Sequence, residues 1–303
     1  MRDRRVHARA PGKINVFFAV GDVQPDGYHD VASVYQAVSL YEDVWAQLAD
    51  EFSVEVTGSV DVAGVPLDGR NLAVRAARLV ARATEWEGGI HLEIRKGVPV
   101  AGGMGGGSAD AAATLLAVNE LLGGDLGPTV LHELGAELGV DVPFALHGGT
   151  AVGIGRGDEL APALARGRFD WVLVTRTDGL STPGVYAQLD RLRAQPDIRP
   201  HVAMPTVDPA VLAALRAGDA VALSSAITND LQPAACSLMP DLTDVIALGT
   251  HSGALASLVS GSGPTLAFLA PPEGAGALAT AMIEAGHTAI VAHGPVAGAR
   301  VLD

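Results

Sequence analysis

The sequence predicts an α+β fold in two domains, on three observations. The first third alternates apolar and polar residues as strands do, a glycine-dense segment at 102–107 runs straight into an alanine-rich stretch, and the last third interleaves strands and helices in a different order. Period-two alternation predicts strands over 6–10, 14–20, 33–40, 44–48, 52–56 and 90–94, with turn residues between them. Asn71 followed by Leu72, Val74, Ala77, Leu79 and Val80 predicts an N-capped helix crossing that sheet. Helices are expected next over 108–122 and 129–138. In the second half, 171–175 reads as a strand, 183–193 as a helix, and the proline-containing stretch 195–209 as a surface connection. From Asp241 the order is helix, strand (255–259), turn, strand (265–269), helix (274–285), strand (288–292). With the strand at Trp171 and the helix after it, this resembles a split βαβ sandwich. The expected boundary falls near 166–168, dividing the chain into 1–167 and 168–303.

Hydrophobic residues make up 49% of the 303 and charged residues 18%, enough to bury a core at this length and to exclude disorder. No apolar run reaches the roughly 20 residues that span a bilayer. The basic start, 1–9, leads into Pro11, Gly12 and Lys13 where a secretory signal needs an apolar stretch, so a soluble, cytoplasmic protein is expected. A single cysteine, Cys236, can form neither an internal disulfide nor a thiolate zinc cluster and reads as a small apolar residue near a helix start. The nine histidines show no HExxH or other metal-ligand spacing.

A net charge of −14 excludes a nucleic-acid partner, because long phosphate polymers require a basic surface. Small phosphates are different, since backbone amides can hold them without net positive charge. Of 20 lysines and arginines only Lys13 and Lys96 are lysine, so each marks a place where a compact ammonium is wanted. No feature of the sequence sets the number of subunits.

The strongest chemical signal is Pro99-Val100-Ala101-Gly102-Gly103-Met104-Gly105-Gly106-Gly107-Ser108-Ala109-Asp110-Ala111-Ala112. Five glycines in six residues remove the side chains that would keep a ligand off the backbone, and the following helix aims free N–H groups and its positive dipole end at the same place. The segment therefore predicts a phosphate cradle. It is not a Walker A loop, lacking GxxxxGK[ST], nor a dinucleotide fingerprint, lacking the third glycine at the right spacing.

This loop resembles the central motif of the GHMP kinases, whose homoserine, mevalonate and phosphomevalonate members carry a P-x-x-x-G-L-G-S-S-A-A type loop. Here Gly106 and Gly107 stand where two serines are common. Two further motifs agree in order, Ala10-Pro11-Gly12-Lys13-Ile14-Asn15 and Ser260-Gly261-Ser262-Gly263-Pro264-Thr265. Pro25-Asp26-Gly27-Tyr28-His29 is similar to a segment of the branch that acts on an alcohol carrying a cytidine diphosphate handle. An aromatic ring beside an imidazole suits a pyrimidine, Tyr28 stacking on the base while His29 and nearby backbone read its edge.

The resemblance implies an N-terminal ribosomal-S5-like domain facing a ferredoxin-like C-terminal domain, with ATP and a small-molecule substrate in the cleft between them; a homoserine- or mevalonate-type kinase is the alternative. It implies that Asp141, in Gly139-Val140-Asp141-Val142-Pro143-Phe144, is the proton acceptor, that Lys13 lies beside it, and that Asn15 orients the reacting hydroxyl. Tyr186, in the segment beginning at Thr182, would close an aromatic sandwich on the base. The nucleotide would be held by Pro99, Gly102, Gly103, Met104, Gly105, Gly106, Gly107 and Ser108. Asn71 would contact the adenosine end or act as a plain N-cap, and Ser262 and Gly263 would line phosphates from the second domain. Magnesium is expected with ATP on chemical grounds, and no sequence pattern marks its protein ligand.

Overall fold

The computed structural model describes residues 4–100, 102–176, 178–195 and 204–302. Residues 196–203 of the expected surface connection lie outside the described residues. The first stretch contains β1 (Arg5–Val23), β2 (His29–Ala49), β3 (Ser53–Gly58), α1 (Leu72–Ala83) and β4 (Gly89–Lys96). Next come α2 (Gly106–Leu122), α3 (Pro128–Leu138), α4 (Asp141–His147), β5 (Thr150–Ile154) and β6 (Glu159–Pro162). The second half begins with β7 (Phe169–Thr175), α5 (Thr182–Arg193), α6 (Pro209–Ala217), α7 (Ala220–Ser224), β8 (Thr228–Asn229) and α8 (Gln232–Leu238). It ends with α9 (Asp241–His251), β9 (Ala256–Val259), β10 (Leu266–Leu269), α10 (Ala275–Glu284), β11 (Thr288–Gly294) and β12 (Arg300–Leu302).

These strands form two sheets. One runs β12-β1-β2-β4-β3, with β5 on β2, β6 on β5 and β8 on β1. The other runs β11-β7-β10-β9, every neighbour antiparallel, so β7 and β9 point the same way with β10 inserted between them. That is the split βαβ arrangement expected from the order of elements. The chain does not stay with the second sheet once it has entered it, because β8 and β12 both return to β1.

Where two strands were expected on each side of 11–13 and 41–43, the structure has one long strand, β1, paired with one long strand, β2. Pro11 faces Tyr41 but Gly12 faces Val38, so a bulge absorbs the turn-like residues without ending the ladder. The helix expected from Ser108 begins at Gly106, and α4, α6, α7, β5, β6 and β12 are short elements without a readable period.

Asn71 caps α1 as the sequence suggests, its side chain accepting from Ala73 N at 2.9 Å, a contact worth about 1 kcal/mol. Ala73, Ala76, Ala77 and Val80 of that helix pack against Val44, Ala46, Ile90, Leu92 and Ile94 of the sheet. The alanine-rich α2 is buried on nearly all sides, between β1 and β2, α1 and α4, which is why its sequence has no polar face. A separate apolar layer joins the sheets, with Ile14, Val16, Phe17 and Val34 from the first meeting Trp171, Leu173, Leu258 and Leu269 from the second. Within it Trp171 Nε1 donates to Gln36 Oε1 at 2.9 Å. Among the described residues no helix is long and apolar enough to cross a membrane.

Candidate active site

The glycine segment leaves β4 and becomes α2 through Gly105, which adopts the left-handed conformation (φ 70°) that favours glycine and offers no side-chain cap to the helix. The first N–H groups of a helix have no partner within it. Those of Gly106, Gly107 and Ser108 therefore stand free in a cavity of about 450 Å³ that these residues line together with Pro99, Gly102, Gly103, Met104, Asn71, Leu72, Lys96 and Asp110. Volume and lining suit a nucleotide-sized anion. Side chains are excluded on both sides of the loop. A methyl on Gly106 would stand 2.9 Å from Glu42 Oε1, and one on Gly103 (φ 72°) would stand 2.9 Å from the Ser260 carbonyl.

Beneath the loop lies a cluster that sequence reasoning missed apart from the scarcity of lysine. Lys96 Nζ is 2.6 Å from Asp110 Oδ2 and 2.8 Å from Glu42 Oε1, and Gly97 N donates to Glu42 Oε2 at 3.0 Å. All three side chains are buried. Burial, then the Asp110 charge, push the Glu42 carboxyl up to about 8. Burial pushes Asp110 up to about 6 against the pull of Lys96; burial works against the Lys96 ammonium, but the Asp110 and Glu42 charges outweigh it and push the amine up. The cluster ties β2, the end of β4 and the first turns of α2 into one floor.

Lys13 and Asp141 meet at the other side of the loop. Lys13 sits mid-strand on β1, its backbone N–H donating to Met104 O at 2.9 Å, and its Nζ donates to Asn15 Oδ1 at 2.9 Å. Asn15 in turn donates to Ser33 Oγ at 2.7 Å, and Ser33 Oγ to Phe17 O at 3.0 Å. Asp141 is the first residue of α4, its Oδ2 3.8 Å from Lys13 Nζ. That separation is an ion pair without a hydrogen bond, so the carboxylate keeps its lone pairs and the ammonium two of its hydrogens for a third group. Gly105 adjoins both: a methyl there would lie 3.3 Å from Lys13 Cγ and 4.0 Å from Asp141 Oδ2. Lys13 Nζ also lies 5.4 Å from the Tyr35 ring centroid. Burial first, then the Asp141 charge, raise the Tyr35 hydroxyl well above its ordinary value, so it stays protonated.

The third motif closes this centre from the second sheet. The turn 260–263 bonds across itself through Gly263 N to Ser260 O at 3.0 Å, and a methyl on Gly261 would stand 3.2 Å from Asn15 Oδ1. Asn229 pins the turn by donating to Val259 O and Gly261 O, each at 2.7 Å. Ser262 and Gly263 are not among the residues lining the cavity under the glycine loop; Ser262 Oγ instead meets Thr182 Oγ1 at 2.9 Å.

The remaining predicted residues gather where β1 turns into β2. The His29 and Tyr186 rings lie 5.0 Å apart, and burial pushes the Tyr186 hydroxyl up to about 12. Tyr28 is 59% exposed, with the Arg156 guanidinium 4.2 Å from its ring and paired to Asp26. Cys236 is half-buried in α8 with its thiol pushed up by burial, as suits a packing residue.

Comparison with known proteins bears on this geometry. Residues 71–149 match the model of the GHMP kinases N terminal domain, and residues 211–288 that of the GHMP kinases C terminal domain. A protein of Clavibacter michiganensis subsp. michiganensis named 4-diphosphocytidyl-2-C-methyl-D-erythritol kinase is 58% identical over 98% of this chain and 96% of its own length. One of the same name from Leifsonia xyli subsp. xyli is 56% identical over 98% of this chain and 99% of its own. A crystal structure of 4-(cytidine 5'-diphospho)-2C-methyl-D-erythritol kinase superposes with a TM-score of 0.76 at 30% identity, covering 95% of this chain and 98% of that one. The two-domain α+β architecture, the glycine loop over a helix start and the sequence shared end to end agree: the chain belongs to the GHMP kinase family, and it is a small-molecule kinase.

Proposed function

We propose that this chain transfers the γ-phosphoryl group of ATP to the 2-hydroxyl of 4-diphosphocytidyl-2-C-methyl-D-erythritol, a step of non-mevalonate isoprenoid precursor synthesis. The observation that carries the reading is the 58% identity, over 98% of the chain, to a relative named for that substrate. In this reading the ATP phosphates rest on the free N–H groups of Gly106 to Ser108, with Asn71 toward the nucleoside end. Asp141 takes the proton of the attacking hydroxyl. Lys13 spends the hydrogens not given to Asn15 on the charge developing at that oxygen, and Asn15 orients the alcohol. ADP leaves as the phosphate ester forms. The cytosine sits against Tyr28, His29 and Tyr186, while Thr182, Ser262 and Gly263 attend the phosphates of its handle.

Residues 1–167 act as the ATP-binding part and 168–303 as the substrate-binding part, with Asn15, Tyr28 and His29 of the first part also facing the substrate, and a cytoplasmic location belongs to the same proposal. Magnesium is expected on the nucleotide. Among the described residues no group of three or more His, Cys, Asp or Glu side chains is gathered to hold a metal.

The test is coupled ADP release with the diphosphocytidyl alcohol, homoserine and mevalonate offered separately. Turnover with the first alone is the expected result, and faster turnover with either of the others overturns the substrate assignment.

A further inference from the structure

One helix of the second half of the chain, α5, grips His29. On α5, Tyr186 and Asp190 are four positions apart and so share a face. Tyr186 lies against the His29 ring at 5.0 Å, tilted by 38°, and Asp190 Oδ1 is 2.9 Å from His29 Nε2. An ionised carboxylate has no hydrogen to give, so the imidazole donates and its orientation is set by Asp190. The helix is itself anchored at both ends. Thr182 reaches Ser262 at its start, and at its end Arg193 donates to Val20 O at 2.8 Å and to Gly21 O at 3.0 Å. His29 is the first residue of β2, so holding its ring also fixes the turn that carries Tyr28. The His29 side chain is 5% exposed and that of Asp190 39%. A pair half open to water contributes little to global stability, and its effect is local.

We propose that Asp190 is a positioning residue for the pyrimidine end of the substrate, holding His29 against Tyr186 and thereby setting the Tyr28–His29 turn that receives the base. The proposal rests on the reading of a cytidine-bearing substrate given above. It needs no contact between Asp190 and the substrate, and none with the transfer centre.

The experiment is equilibrium titration of the full chain with CDP in the presence of saturating ADP, and separately with ADP alone, for wild type, Asp190→Ala and Asp190→Asn. Loss of a hydrogen bond to a charged group predicts CDP binding about tenfold weaker in the alanine variant. The asparagine variant, whose Oδ1 still accepts from Nε2, recovers to within about threefold of wild type, and ADP binding is unchanged throughout. In steady state the alanine variant raises KM for the diphosphocytidyl alcohol and keeps kcat at saturation. Should the alanine variant not fold, Asp190→Ser, too short to reach Nε2, takes its place. Unchanged CDP binding overturns the proposal, and so does parallel weakening of CDP and ADP, which would mark a general structural role. A wild-type chain that ignores CDP overturns the substrate reading itself, an outcome distinct from a wild type and an alanine variant that bind CDP equally well.

Discussion

Replacing Lys96 by methionine removes the cation that sits between two buried carboxyl groups, and its cost follows from their geometry. Lys96 is 2% exposed, Glu42 0% and Asp110 3%, with the ammonium 2.8 Å and 2.6 Å from the two acids. Breaking a buried pair by removing one partner costs about 3–5 kcal/mol, because the survivor is left uncompensated. Set against the about 5–15 kcal/mol that stabilises an ordinary domain, that is about a fifth of the total or more. The loss also has a sign in pH. Glu42 is already held up to about 8 and Asp110 up to about 6, chiefly by burial, with Lys96 in place. Without the ammonium both rise further. An acid whose folded pKa is raised contributes stability at low pH that disappears as pH rises through that pKa, so the variant's deficit is largest above about pH 8 and shrinks toward about pH 5. Urea denaturation followed by far-UV circular dichroism at both ends of that range measures it. A deficit below about 1 kcal/mol at the alkaline end, or one that does not change with pH, would refute the assignment of Lys96 as the charge that holds the floor of the loop.

Asp141→Asn keeps the shape of the carboxylate but cannot take a proton, so kcat should fall about 10²–10⁴-fold with the KM for ATP little changed; single-turnover phosphoryl transfer checks this. Gly103→Ala forces a side chain into a left-handed position (φ 72°) and against the Ser260 carbonyl at 2.9 Å. It should cost about 1–3 kcal/mol by urea titration and raise the KM for ATP, since the loop and the 260–263 turn must part to admit it. Trp171→Phe strips Gln36 Oε1 of its donor in a buried site where, among the described residues, Gln36 Nε2 already has no partner. The expected loss is about 1–3 kcal/mol, and replacing Gln36 with leucine in the same background should recover part of it.

The sequence was most legible where a local pattern carries its own physics. Asn71 announces the α1 cap, five glycines before alanines announce a side-chain-free loop running into a helix, and the strand-helix order after Asp241 announces the second sheet. It was least legible where distant segments decide the outcome. Pro11 and Gly12 look like a turn and instead continue β1, because the bulge on β2 that accommodates them lies near Tyr41. No helix is expected at Asp141, yet it starts a short one whose position comes from packing of Val142 and Phe144. Glu42 and Asp110 carry no local sign of their union with Lys96, and only the rarity of lysine in an arginine-rich chain pointed there. Asp190 and Arg156 likewise come to the β1–β2 turn at His29 and Asp26 from segments more than a hundred residues away in sequence.

Lys13 faces Ala37 and Val23 faces His29 on the same β1–β2 ribbon, so eight residues of β2 separate the level of the ammonium from the imidazole, a contour of about 26 Å at the usual rise per residue. Main-chain ladders fix that interval, and bulges near Asn15 and Val20 curve it. The ribbon is therefore a ruler. In the proposed reading, with the base at His29 and the hydroxyl at Lys13, a cytidine-linked alcohol with a tether one phosphate short would seat its base and leave its hydroxyl off the mark, and trimming side chains at either end would not restore the reach.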